Sequence, residues 1–188
     1  MAEKNDYVNR ELSWIEFNYR VLSEARDKST PLFDRLKFLS ITASNLDEFY
    51  MVRVASLKDM VHAKYAKKDI AGLTAKEQLD KISEKTHQLV DLQYSTYNRS
   101  LVPALKQNGL RIVMEHEDLT EDEAAFADEY FHKNVYPVLT PMAFDSSRPF
   151  PLIRNKTLNI AALLKKKNEK EAELEFAMVQ VPSVIPRI

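Results

Sequence analysis

FLSITASNLDEFYMVRVASL, residues 38–57, is the stretch that decides how the first half of this chain folds. Apolar residues at helical spacing precede Ser44, and a second apolar run follows it. Ser44 and Asp47 have the spacing of a capping box, in which side chains satisfy the free N–H groups of a new helix. The pattern predicts a helix break at Ser44, with Asn45 in the first turn of the next helix.

The same corner favours a nucleotide over a solvent-facing loop. A helix amino terminus is positively polarised, and Leu46 and Phe49 supply apolar side chains beside it. The Asn45 carboxamide can donate and accept hydrogen bonds without adding charge. The alternatives are helix capping for Asn45 and plain core packing for Leu46 and Phe49. Arg53 either reaches a phosphate or, more commonly for such a residue, pairs with a neighbouring carboxylate on a solvated face.

Three further helix starts can be predicted around this corner. Ser13 with Glu16, and Thr74 with Glu77, have capping-box spacing. A Thr-Pro pair at residues 30–31 combines an N-cap residue with proline at the first helical position. The helix from Thr74 is predicted to continue to the Asn-Gly pair at 108–109, with a kink or an early end at a proline. Residues 1–108 are therefore expected to form an antiparallel four-helix bundle.

The pattern changes after residue 109. Short apolar stretches predict strands at residues 110–113, 158–164 and 173–181, the last two around a charged turn at 165–171. Thr120 and Glu123 predict a capped helix that ends at a Tyr-Pro pair, and residues 139–151 are a proline-rich loop.

So few strands do not complete a sheet domain. The fold class expected is mainly α, with an incomplete, truncated α/β domain over residues 109–188 of a protein that continues. The helical part should fold by itself. Residues 110–188 should not, and are expected to self-associate.

Composition excludes several classes of function. The 188 residues are 45% hydrophobic, have a net charge of −1 and contain no cysteine. Disulfides, thiolate catalysis and cysteine-bound zinc are excluded. Residues 1–10 are polar and lack the hydrophobic core of a signal peptide, so a cytoplasmic location is expected. No apolar run has the roughly 20 residues of a membrane span. Nucleic-acid binding has only a local basic run to favour it, and is the weakest alternative. That run is Lys58, Lys64, Lys67 and Lys68.

No residue pattern indicates a catalytic centre or a metal site. The chain lacks the G-x-x-x-x-G-K motif of P-loop kinases. Its histidines have no partners at metal-ligand spacing. They are His62, His87, His116 and His132. Trp14 belongs to an aromatic set that is more typical of a core than of a ligand site.

A series of blocks in the first sixty residues nevertheless resembles one family. NRELSWIEFN at 9–18, RLKFL at 35–39, SNLDEF at 44–49 and VR at 52–53 occur in this order. Their order and spacing are similar to the amino-terminal region of the polyphosphate kinases, which form inorganic polyphosphate from ATP through a phosphohistidine. A run of blocks is far more specific than any short motif.

The resemblance implies a division of labour. In that family a helical amino-terminal domain forms a roof over the nucleotide, and a head domain makes dimer contacts. Two carboxy-terminal domains contain the phosphorylated histidine and the magnesium region. Residues 1–108 and 109–188 would then be the helical domain and part of the head domain. Asn45 matches the family's amino-terminal ATP contact.

Several expectations follow from this resemblance. The complete enzyme would use ATP, polyphosphate and Mg²⁺, and would form a homo-oligomer. The present chain, with no catalytic residue and no metal ligand, would be inactive alone. The alternative is a helical protein-interaction scaffold without a nucleotide site.

Overall fold

A computed structural model describes residues 7–144, 150, 152–165 and 174–186. The chain divides into two compact units, Met1–Ile112 and Val113–Ile188. The helices of the first unit are α1 (Arg10–Arg26), α2 (Leu32–Phe49), α3 (Ala55–His62), α4 (Ala75–Thr96) and α5 (Val102–Gln107). π-helical turns at Tyr50–Val54 and Tyr97–Leu101 join α2 to α3 and α4 to α5.

The predicted helix break at Ser44 is wrong. Helical structure runs from Leu32 through a π turn to His62, and Ser44 is an exposed residue inside α2. No glycine or proline interrupts residues 32–62, so the apolar pattern on both sides of Ser44 continues as one helix. The four-helix bundle is therefore not confirmed, because the described part of this unit has three long helical rods.

Ser44→Ala is expected to leave the free energy of unfolding unchanged to within about 0.5 kcal/mol, because an exposed serine inside a helix is replaced by a better helix former. Denaturant unfolding of the chain measures this. The matched control is Thr74→Ala, which removes a genuine N-cap and should cost about 1 kcal/mol. A loss of that size at Ser44 would contradict a continuous α2.

The predicted start of α1 at Ser13 is also wrong. Asn9 is the N-cap, and its Oδ1 accepts a hydrogen bond of 2.8 Å from the Leu12 N–H. Asn9 Nδ2 donates to Asp69 Oδ2 at 2.6 Å and to Gln78 Oε1 at 2.8 Å. Ser13 instead lies inside the helix, with its N–H bonded to the Asn9 carbonyl. One buried asparagine thus starts α1 and ties it to the α3–α4 connection.

Asp69 organises that connection. Its Oδ1 accepts hydrogen bonds from the Ala71 and Leu73 N–H groups, around Gly72 with φ of +80°. Burial alone would raise the pKa of Asp69, but the hydrogen bonds from Asn9, Leu73 and Ala71 outweigh it and hold the pKa below its usual value.

A lowered pKa of Asp69 predicts acid sensitivity. The carboxylate contributes stability above its unfolded-state pKa, near 3.8, and this is lost as pH falls through the lower folded-state value. We expect the melting temperature to fall below pH of about 4, and Asp69→Asn to flatten that part of the profile. An unchanged pH profile in the variant would contradict the assignment.

Other sequence signals are confirmed. Thr74 and Glu77 form a complete capping box. Gly109, with φ of +83°, ends α5, and the Leu110 N–H bonds to the Leu105 carbonyl in the pattern typical of a glycine helix end. The α-helical pattern is interrupted by the π turn just before Pro103, which has no N–H to donate. The Thr-Pro start predicted for α2 is wrong by one residue: α2 begins at Leu32, its N-cap is Pro31, and no side chain caps it.

The core of the first unit is formed by helical stripes. Ile15 and Leu22 of α1, and Ile82 and Leu89 of α4, are almost completely buried. α2 and α3 add further buried side chains, namely Leu39, Phe49 and Leu57. The cavity discussed below lies beside Phe49, where α1 meets α2.

In the residues described, the second unit has one α-helix and a small sheet. The elements are α6 (Glu121–Tyr130), β1 (Thr140–Phe144), β2 (Leu158–Leu164) and β3 (Glu175–Val181). α6 begins at the predicted Thr120–Glu123 capping box and is followed by π and 3₁₀ turns, Phe131–Val135 and Tyr136–Val138. The strands are antiparallel in the order β1-β3-β2, with Thr140 opposite Gln180 and Leu158 opposite Val181.

Two of the three predicted strands are confirmed, the third is wrong, and one observed strand lies in a predicted loop. β2 lies where it was predicted, and β3 begins two residues later than expected. Residues 110–113 form no strand, because Leu110 is bonded into the end of α5. Residues 140–144, predicted as loop, form an edge strand, where Pro141 is tolerated. Residues 166–171 of the predicted charged turn lie outside the described residues.

No helix among the described residues is long and apolar enough to cross a membrane.

Candidate functional site

Asn45 lines a small cavity between α1 and α2. It lies in the last full turns of α2, and its side chain is partly buried. The cavity has a volume of about 220 Å³. Its lining residues are Trp14, Asn45, Glu48, Phe49, Val52 and Arg53. The predicted site residue therefore lies at a concave surface.

Two aromatic rings form the apolar side of this cavity. The rings of Trp14 and Phe49 stack with centroids 4.4 Å apart and planes 4° from parallel. Phe49 is 3% exposed, whereas Trp14 is only partly buried. Core packing is thus confirmed for Phe49, and Trp14 is the aromatic residue that remains partly accessible beside Asn45. From the sequence, Trp14 is predicted to belong to an aromatic set typical of a core.

A chain of hydrogen bonds holds the Asn45 side chain. Asn45 Nδ2 donates to Asn18 Oδ1 at 3.1 Å, and Asn18 Nδ2 donates to the Thr42 carbonyl, also at 3.1 Å. Asn18 and Thr42 are fully buried. The capping alternative for Asn45 does not apply, because Asn45 lies inside α2 and its side chain bonds to α1.

The predicted anion site at a helix amino terminus is wrong. Because α2 continues through residue 45, the backbone N–H groups there are bonded within the helix and cannot bind an anion. The ionisable groups at the cavity are instead Glu48 and Arg53. Within residues 7–144, Arg53 forms no ion pair with a carboxylate.

The π turn Tyr50–Val54 contributes two of the residues that line this cavity. Val52 and Arg53 belong to the turn, and the Tyr50 hydroxyl lies 2.8 Å from Thr86 Oγ1 of α4. π turns widen the helix locally and occur frequently at functional sites. The turn thus connects the cavity to α4 through one side-chain hydrogen bond.

Leu46 faces a different surface. It packs against the core and lines a groove between α2 and α4 with a volume of about 580 Å³. The groove is lined mainly by apolar and aromatic side chains, among them Leu36, Ala43, Leu46, Val90, Tyr94 and Tyr97. It contains no lysine or arginine. Leu46 therefore does not line the Asn45 cavity.

The Asn45 cavity is lined neither by a histidine nor by the basic run, which is Lys58, Lys64, Lys67 and Lys68. None of the four histidines lines the Asn45 cavity. His87 Nδ1 lies 2.7 Å from the Ser83 carbonyl, and His116 Nε2 lies 3.3 Å from Asp128 Oδ1. Lys64, with φ of +55°, lies just after the end of α3. Among the residues that the structure describes, no group of three or more potential ligands could hold a metal ion.

Comparison with known proteins identifies the family to which the chain is related. Residues 7–113 match the family model of the polyphosphate kinase N-terminal domain, and residues 122–188 match that of the polyphosphate kinase middle domain. A polyphosphate kinase of Lactiplantibacillus plantarum is 55% identical over 182 residues, covering 97% of this chain and 25% of the relative. One of Bacillus anthracis is 50% identical over 184 residues, covering 96% of this chain and 26% of the relative.

A solved structure agrees with these sequence matches. The crystal structure of polyphosphate kinase from Porphyromonas gingivalis matches with a TM-score of 0.73 and 32% identity, over 95% of this chain and 27% of that one. The present chain spans about a quarter of the length of these relatives. Two family models in sequence order and relatives of this similarity lead to one conclusion: the chain belongs to the polyphosphate kinase family.

Proposed function

We propose that the cavity beside Asn45 contacts the base or ribose of ATP in a complete polyphosphate kinase. The observation on which this rests is that Asn45, the position that matches the family's amino-terminal ATP contact, lines a cavity with an aromatic pair. An aromatic face and a carboxamide together suit a nucleoside, since one stacks on the ring and the other bonds to its polar edge.

The size of the cavity supports a partial contact. Complete small-molecule sites have volumes of roughly 300–1,000 Å³. The cavity, at about 220 Å³, is smaller. We propose that it forms one wall of the ATP site, and that the phosphates extend from the base past Arg53. The negative charge of Glu48 would repel phosphate groups from the cavity itself.

The remaining steps of catalysis are assigned to other parts of the enzyme. We propose reversible transfer of the γ-phosphate of ATP to polyphosphate through a phosphohistidine, with Mg²⁺ bound outside this chain. Residues 109–188 would belong to a head domain that makes dimer contacts, and the enzyme would be cytoplasmic. The chain alone would then be inactive, because it would lack the nucleophile.

Asn45→Ala in a complete polyphosphate kinase containing this region is expected to raise the KM for ATP with little change in kcat. The lost contact is present in both the ground state and the transition state. A neutral hydrogen bond of about 0.5–1.5 kcal/mol corresponds to an increase of up to roughly tenfold. Steady-state kinetics with varied ATP measures it.

The control for this experiment is Ser44→Ala. Ser44 is the neighbouring residue, is exposed and does not line the cavity. Its KM should match that of the parent enzyme. An Asn45→Ala enzyme with unchanged KM and a lower melting temperature would contradict the nucleotide role.

The α2–α4 groove favours a second function. It is large and apolar, as expected of a surface that binds another protein segment. If the helical unit is an interaction scaffold, the charge introduced by Val90→Glu should abolish binding of a protein segment in this groove and leave the KM for ATP unchanged. Asn45→Ala should do the opposite, raising the KM for ATP and leaving protein binding unchanged, so the two variants separate the two functions.

A further inference from the structure

We infer that Asn18 is a positioning residue for Asn45: it fixes which end of the Asn45 carboxamide is available to a ligand. This inference rests on the proposed contact between Asn45 and ATP. It assigns a task to a residue of α1 that does not line the cavity.

The position of Asn18 is unusual for an asparagine. Ile15, Asn18, Leu22 and Ala25 lie on one face of α1, and all four side chains are fully buried. At such a position leucine would pack and add stability, whereas a buried amide is costly unless its polar atoms are bonded. An asparagine in the middle of this stripe therefore calls for a role beyond packing.

The hydrogen bonds of Asn18 determine its orientation. A backbone carbonyl accepts hydrogen bonds and cannot donate them. The side-chain atom of Asn18 that lies 3.1 Å from the Thr42 carbonyl must therefore be Nδ2. Its Oδ1 then faces Asn45, and the Asn45 atom 3.1 Å away must be the donor Nδ2. Rotating either amide by 180° would place two acceptors or two donors together.

This fixed orientation defines what Asn45 offers to a ligand. Nδ2 is directed at Asn18, so Oδ1 is at the opposite end of the amide. Within the described part of the chain, Asn45 Oδ1 accepts no hydrogen bond. It is therefore an acceptor, and it selects for a donor on the ligand.

The adenine edge has such a donor. The exocyclic amino group of adenine donates, whereas guanine has a carbonyl oxygen at the equivalent position, which would face Oδ1 as a second acceptor. We assign the 6-amino group of ATP as the partner of Asn45 Oδ1. An Asn45 side chain free to rotate could suit either base, so the discrimination depends on Asn18.

Asn18→Leu in a complete polyphosphate kinase is the test. Leucine resembles asparagine in shape, and it leaves the partly exposed Asn45 free to rotate. The KM for ATP should rise roughly two- to tenfold, with kcat unchanged. The preference for ATP over GTP, and over purine riboside triphosphate, which lacks the amino group, should fall by a similar factor.

The matched control is Thr42→Val. The Thr42 hydroxyl donates to the Phe38 carbonyl at 2.9 Å, and the Thr42 group that orients Asn18 is the backbone carbonyl, which valine retains. This variant should keep the parent KM and base preference. An Asn18→Leu enzyme that also keeps both would overturn the inference.

The outcomes separate this inference from the proposed function. If Asn45→Ala and Asn18→Leu both leave the KM for ATP unchanged, the ATP contact itself is wrong. If Asn45→Ala raises KM and Asn18→Leu does not, only the positioning role is wrong.

A second measurement needs no substitution and covers the case in which Asn18→Leu does not fold. In the 188-residue chain, the NMR signals of the two Asn45 Nδ2 protons should differ in exchange with water, with the proton directed at Asn18 the slower. Two protons that exchange equally fast would overturn the fixed orientation.

Discussion

Residues 7–112 expressed alone are expected to unfold in one cooperative transition, whereas residues 113–188 alone should show no such transition. Among the described residues, every buried apolar side chain except Met178 belongs to the first unit. In the second unit, several large apolar side chains of β2 are more than two-fifths exposed, namely Leu158, Ile160, Leu163 and Leu164. A three-stranded sheet that buries so little apolar surface does not offset its conformational entropy.

Thermal unfolding followed by circular dichroism, with NMR spectra of both pieces, measures this difference. The second piece should also associate as its concentration rises, since β1 and β2 each present an unpaired edge among the described strands. A well-dispersed monomeric spectrum from residues 113–188 would contradict the expectation.

Asn9→Ala is expected to destabilise the first unit by about 2–3 kcal/mol. It removes the N-cap of α1 and also the donor that bonds Asp69 and the buried Gln78. The midpoint of denaturant unfolding should fall without a change in slope.

Ser13→Ala is the matched control for that substitution. Ser13 has the capping-box spacing in the sequence but lies exposed inside α1. Its replacement should change stability by no more than about 0.5 kcal/mol. Equal losses at positions 9 and 13 would contradict the observed start of α1.

Comparison of the four capping-box patterns explains what the sequence could predict. The boxes at Thr74 and Thr120 are confirmed, because both residues have extended backbones, with ψ of 162° and 165°. The same spacing at Ser13 and Ser44 falls inside helices, where the backbone N–H groups are already bonded. Spacing alone does not distinguish these cases, because the decision depends on whether the apolar stripe continues.

The candidate site was predicted only in part. Asn45 was identified from its motif and its resemblance to the family, and the structure adds a cavity there. Trp14 and Asn18 are not predicted as part of it, because they lie on α1 and meet α2 only in the folded structure, Trp14 by ring stacking and Asn18 by hydrogen bonds. Asn18 and Asn45 are 27 residues apart, so no local pattern links them. A polar residue within the apolar stripe of α1 was the one available signal.

The proposed nucleotide contact at the Asn45 cavity can be tested directly by photoaffinity labelling. A complete polyphosphate kinase containing this region is irradiated with ATP that has an azide on its base, and the labelled peptides are mapped by mass spectrometry. Labelled peptides are expected from residues 10–26 or 32–62, the helices that contain Trp14 and Asn45, and excess ATP should suppress them. Label confined to peptides outside these helices would contradict the account.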